Sequence, residues 1–80
     1  MIEGYVKDEK VFEQLNNNYV YHKPFGNQPE RYEAIRAKAK ELAELLTTLC
    51  PESRELSVAR TNLEDAVMWA NASIARNEKE

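Results

Sequence analysis

The feature that most constrains this chain is a seam of six apolar residues, Tyr32, Ile35, Ala39, Leu42, Leu46 and Leu49, spaced 3, 4, 3, 4 and 3. Steps alternating between three and four fall on one side of an α-helix, whereas a half-buried strand repeats at two. The spacing therefore predicts a helix with a continuous apolar stripe of heptad character. Asn27 is placed to cap its start and Pro29 supplies a preset dihedral, so the helix is expected from about Gln28 to about Leu49.

Cys50-Pro51-Glu52-Ser53 ends the pattern, because the ring of Pro51 removes an N–H donor and disfavours helical geometry at the residue before it. A second seam follows, with Leu56, Leu63 and Ala70 recurring at seven, Val67 and Ile74 between them, and an expected end near Asn77. Two helices joined so closely are expected to lie antiparallel, giving a helical hairpin over residues 28–77. From Leu63 to Ala75, nine of thirteen positions are apolar, too many to face one neighbouring helix. The excess calls for cover from the N-terminal segment or a second chain.

Residues 1–27 hold five of the seven aromatics: Tyr5, Phe12, Tyr19, Tyr21 and Phe25. The Asn16-Asn17-Asn18 run, Pro24 and Gly26 read as turn chemistry. That leaves a short helix near Lys7 to Leu15 and an extended Tyr19-Val20-Tyr21. The expected fold class is all-α: an antiparallel two-helix hairpin behind a short N-terminal segment, assembling as a homo-oligomer. Oligomerisation is expected because an 80-residue chain sits near the lower size limit for burying its own core, and a single cysteine, Cys50, makes no intrachain disulfide.

A net charge of −3 argues against salt-driven attachment to duplex DNA or to an anionic membrane. No run of about 18 apolar residues is present, and Glu3 stands where a signal peptide would be basic, so a cytoplasmic protein is expected. His22 is the sole histidine, the glycines are two, and no metal-ligand spacing or nucleophile and base pair accompanies them. The expectation is a binding protein, not an enzyme, with no metal and no cofactor.

Arg31, Arg36, Lys38 and Lys40 make a basic run that reads as a solvated face with ion pairs through Glu33 and Glu44. Arg36 differs by lying at the edge of the seam, within reach of a pocket. Arg60 interrupts the second seam, and two roles stay open: an ion pair with Glu41 or Glu64, or a ligand site with Thr61 built from several copies. Trp69 reads as a core or interface anchor. Asn71, flanked by Trp69, Ala70 and Ala72, carries an amide that needs partners at the end of the hairpin where Arg36 lies.

Tyr21-His22-Lys23-Pro24, Gln28, Arg31-Tyr32, Ile35-Arg36, Cys50-Pro51-Glu52-Ser53-Arg54-Glu55 and the block from Val67 to Asn77 together resemble the helical hairpin of phage nucleotide sponges, over roughly residues 19–77. These proteins blunt the antiphage signalling systems CBASS and Thoeris. The resemblance implies a homo-oligomer, typically a hexamer, that encloses cyclic dinucleotides or trinucleotides uncleaved in the cytoplasm of the infected bacterium. Thoeris-directed relatives bind a cyclised ADP-ribose and often carry more sequence outside the hairpin, so the compact chain favours the CBASS-directed branch. By the same resemblance Tyr21 stacks on a base, Arg36 meets a phosphate and Asn71 contacts the ligand; His22, read as structural or ligand-contacting and not catalytic, and Lys23 and Lys40 are further candidate ligand contacts. Arg54, Arg60 and Thr61 are the candidates for a separate trinucleotide site at the oligomer centre. The competing expectation is a helical adaptor whose apolar second helix binds a host polypeptide.

Overall fold

The structure, a computed structural model, describes residues 3–80; Met1 and Ile2, where the expected signal-free N-terminus begins, lie outside them. Three helices follow in order, α1 (Glu9–Tyr19), α2 (Gln28–Leu49) and α3 (Arg54–Asn77), with no strand among the described residues. The all-α expectation holds, and both hairpin helices fall where periodicity put them.

α1 corrects the reading of the N-terminal segment. It starts at Asp8, whose carboxylate accepts from the Lys10 N–H at 2.9 Å, and it runs through Asn16-Asn17-Asn18 to Tyr19 instead of stopping near Leu15. Extended backbone begins only at Val20. Asparagine is a weak helix former because its side chain competes for nearby backbone groups. Here the Asn17 amide is engaged elsewhere, donating to the Arg76 carbonyl at 2.9 Å, so a tertiary contact overrides the local preference.

Gly26 has φ of +57°, the left-handed region that glycine enters without penalty, and it turns the chain so that the Gln28 N–H meets the Phe25 carbonyl at 3.1 Å. Asn27 occupies the cap position of α2 but does not cap it through its side chain; its Oδ1 accepts from Arg31 Nε at 3.0 Å instead. Pro29 sits in the first turn, as expected. At the other end of the hairpin, Ser53 Oγ accepts from the Leu56 N–H at 3.1 Å and starts α3.

α2 and α3 pack together. Arg31 meets Glu78 at one end and Thr47 meets Arg60 at the other, so the helices are antiparallel. On α3 the predicted seam holds: Leu56 is buried at 3% exposure, and Leu63, Val67, Ala70 and Ile74 are half-buried. Burial of Leu56 contributes roughly 1.5–3 kcal/mol. On α2 the seam shifts. Tyr32, Ile35, Ala39 and Leu46 are half-buried, but Leu42 and Leu49 are exposed and Ala43 turns inward in place of Leu42. A straight helix drifts about 20° per heptad from a strict 3.5-residue repeat, enough to carry Leu42 out and Ala43 in.

The chain buries little of itself. Its radius of gyration is 17.7 Å and its extents are 52 × 37 × 16 Å. A compact chain of this length would have a radius of roughly 12 Å. Leu56 and Gln28 are the buried residues among those described, while Met68 and Trp69 on α3 and Phe12 and Tyr19 on α1 face solvent. Trp69, at 62% exposure, is therefore not a core anchor within the chain. Among the described residues, no helix is long and apolar enough to cross a membrane.

Candidate functional site

A groove of about 660 Å³ opens where the loop after α1 crosses the hairpin. The loop brings Tyr21, His22 and Pro24, α2 brings Tyr32, Glu33 and Arg36, and α3 brings Asn71, Ala72, Ala75 and Arg76. Helical spacing explains the set: Tyr32 and Arg36 are four apart on α2, and Ala72, Ala75 and Arg76 share one face of α3. The two alanines leave the space that larger side chains would fill. The volume lies within the range of roughly 300–1,000 Å³ usual for small-molecule sites.

Chemically, the groove offers two phenol rings, two guanidinium side chains, an imidazole, a carboxylate and an amide. Tyr21 and Arg36 are exposed, and His22, Tyr32, Asn71 and Arg76 are half-buried. Asn71 Oδ1 is buried and has no hydrogen-bond partner among the described residues. A buried carbonyl oxygen left unpaired costs about 1–3 kcal/mol, and Asn71 is one of the residues that line the groove.

His22 Nε2 lies 2.7 Å from the Asn17 carbonyl. A carbonyl only accepts, so Nε2 carries the proton and donates. Below the groove, Gln28, 2% exposed, uses both ends of its amide: Oε1 accepts from the Phe25 N–H at 3.1 Å and Nε2 donates to Glu78 at 3.0 Å. Arg31 holds both oxygens of the same carboxylate. The Arg31 hydrogen bonds, helped by the one from Gln28 and opposed by partial desolvation, lower the Glu78 pKa to about 2. Arg31 is raised in turn, chiefly by the hydrogen bond to Glu78.

The structure brings Tyr21, His22, Arg36 and Asn71 together. Lys23 lines a smaller depression beside them, shared with Tyr21 and His22. Lys40 and Arg60 line a second groove, of about 340 Å³, along the middle of the hairpin, and Arg36 borders both. Arg54 and Thr61 are exposed on α3 and line neither groove.

The expected ion pairs need correction. Arg60 pairs with Glu52 at 2.7 Å and donates to Thr47 Oγ1 at 3.3 Å, rather than meeting Glu41 or Glu64, because its side chain points back along α3 toward the connection. Within α2 the pair that forms is Lys38 with Glu41 at 3.2 Å, not one through Glu33 or Glu44. Among groove residues, sequence reasoning assigned Tyr32 to the core and gave Arg76 no site role. The four-residue step from Tyr32 to Arg36, and the Trp69, Ala72, Arg76 spacing, were the signals that would have found them.

No curated protein and no solved structure matches the chain. A family model, the Acb2/Tad1 hairpin domain, matches residues 12–75. The match reaches into α1, of which the resemblance over residues 19–77 took in only Tyr19, and it covers α2 and α3 as far as Ala75. The shared element is thus the one that builds both grooves, and the chain belongs to the Acb2/Tad1 hairpin-domain family of phage anti-defence sponges.

Proposed function

We propose that this protein is a CBASS-directed sponge: it binds cyclic dinucleotides in the groove of Tyr21, Arg36 and Asn71 and withholds them uncleaved in the cytoplasm of an infected bacterium. The observation that carries the reading is the convergence of Tyr21, Arg36 and Asn71 on one groove, with the Asn71 amide oxygen enclosed behind its wall and unpartnered among the described residues. A cyclic dinucleotide has complementary groups, namely phosphate oxygens for the guanidinium, purine faces for the phenol and base or ribose donors for the amide oxygen. His22 and Lys23 flank the ring of Tyr21. Lys40 and Arg60 in the second groove, with Arg54 and Thr61 from neighbouring copies, form the trinucleotide site in this reading.

The working form is a homo-oligomer, six copies by family resemblance. Exposed Met68 and Trp69, with the extended shape of the chain, support the association. The host-protein adaptor is the competing use of the same apolar face.

Incubation with a panel of cyclic dinucleotides, cyclic trinucleotides and cyclic ADP-ribose isomers, followed by heat release, tests the proposal. Cyclic dinucleotide is expected to leave solution and return chemically unchanged. Uptake of a cyclic ADP-ribose isomer alone makes the chain Thoeris-directed; conversion of any ligand makes it an enzyme; no uptake leaves the adaptor. Arg36→Ala is expected to cost roughly 2 kcal/mol of binding once the ligand desolvates the pair. Tyr21→Ala is expected to cost about 1–3 kcal/mol per stacked base.

A further inference from the structure

The ends of α1 and α3 are closed by one residue that lines neither wall of the Tyr21 groove. A helix leaves its last four carbonyls without intrahelical donors. In α3, the Glu78 N–H takes the Ile74 carbonyl, and the Arg76 carbonyl is taken by Asn17 Nδ2 at 2.9 Å, across 59 residues of sequence. In α1, the Val20 N–H takes the Asn16 carbonyl, and the Asn17 carbonyl is taken by His22 Nε2 at 2.7 Å. Asn17 is therefore a donor to one wall of the groove through its side chain and an acceptor from the other through its backbone.

We propose that Asn17 is a positioning residue for the ligand groove: the relay from the Arg76 carbonyl through Asn17 to His22 fixes the loop carrying Tyr21 against the end of α3 before any ligand arrives. The inference rests on the proposed nucleotide-binding function for the identity of its ligand, and on the two hydrogen bonds for the clip itself. Gln14 and Asn18 also border α3, at a shallow depression shared with Trp69, Ala72 and Ser73, but among the described residues the hydrogen bond between the two helices is the one from Asn17. Gln28 holds the Phe25 N–H at the far end of the loop, and Tyr21 is exposed. Without the Asn17 side chain, α1 and the first half of the loop keep their mutual bond through His22 but lose a hydrogen bond to α3. Arg76 remains beside Trp69, its guanidinium carbon 5.9 Å from the ring centroid, so the α3 wall keeps its own support while the loop wall is released.

Asn17→Asp tests the inference, because the side chain is nearly isosteric and its carboxylate cannot donate to a carbonyl, while the backbone bond to His22 is untouched. Loss of a positioning contact lowers the fraction of chains in the competent arrangement. If that fraction falls to about one tenth, apparent affinity for cyclic GMP-AMP falls about tenfold through the association rate, with dissociation unchanged. A lost direct contact would instead speed dissociation. In the Tyr21→Ala background the same substitution is expected to cost much less, since the side chain it positions is gone.

Hydrogen exchange without ligand is the second reading. Asn17→Asp is expected to speed exchange across residues 9–25, with α2 and the body of α3 as in the wild type. Wild-type association kinetics in the variant, or exchange unchanged in that segment, overturns the inference; so does faster exchange spread evenly over the hairpin, which makes Asn17 a general stabiliser. A wild-type chain that takes up no nucleotide overturns the functional reading, and the exchange comparison then decides on its own whether the clip sets the groove.

Discussion

Glu78, the residue after the last turn of α3, is held at both carboxylate oxygens by Arg31 from the first turn of α2, and the two residues close the open end of the hairpin beneath the Tyr21 groove. The pairing ties the C-terminal segment to the helix that carries Arg36. Both side chains remain more than a third exposed, so the pair acts mainly by fixing position.

Acid should loosen this clasp. The Glu78 pKa is depressed from 4.5 to about 2, so its stabilising contribution is complete above the unfolded value and is lost as pH falls through that window. Melting temperature followed from pH 6 to pH 2 should drop more for the wild type than for Glu78→Gln, which has no carboxylate to protonate. Equal acid slopes would remove Glu78 from the account.

Gln28 should prove costly to remove. Gln28→Ala leaves the Phe25 N–H without its acceptor and takes a donor from Glu78, at an expected loss of roughly 1–3 kcal/mol in denaturant unfolding. Gln28→Glu keeps an acceptor for Phe25 but sets a second carboxylate against Glu78, and should recover only part of the loss.

Asn71 should show opposed effects on stability and binding. Asn71→Leu replaces a buried unpaired oxygen with apolar atoms in the same branched shape, so the ligand-free protein is expected to gain about 1 kcal/mol where the larger methyl groups are accommodated toward the groove. Nucleotide uptake should fall sharply in calorimetry. Stability unchanged or lowered would mean that Oδ1 is already satisfied in the free protein.

Self-association is best probed at Met68. Ala70 and Ala72 sit on the apolar block but are half-buried against their own chain, so a charge there would disturb the hairpin as well as any interface. Met68 is exposed. Met68→Glu should keep the helical circular dichroism signal and shift the sedimentation coefficient toward that of a monomer. A wild type that already sediments as a folded monomer would dissolve the oligomer proposal.

The hairpin was legible in the sequence because its causes are local. Step sizes of three and four define a helical stripe, Pro51 stops one helix, and the short connection forces the next one back. The Asn71 amide and Arg36 were identifiable for the same reason, as polar groups set beside apolar periodicity, and their meeting in one groove follows from antiparallel packing.

What only the tertiary structure decided lies where distant residues compete with local preference. The Asn16-Asn17-Asn18 run reads as a turn until Arg76, 59 residues away, offers its carbonyl to Asn17. Arg60 had several carboxylates within plausible reach, and side-chain direction on α3 selected Glu52. The exchange of Leu42 for Ala43 on the α2 seam depends on how the true helical pitch meets α3, which a repeat counted along one helix does not contain. Sequence periodicity determines which face of a helix is apolar; the partner it meets, and the polar groups brought opposite one another, are settled only when both helices are in place.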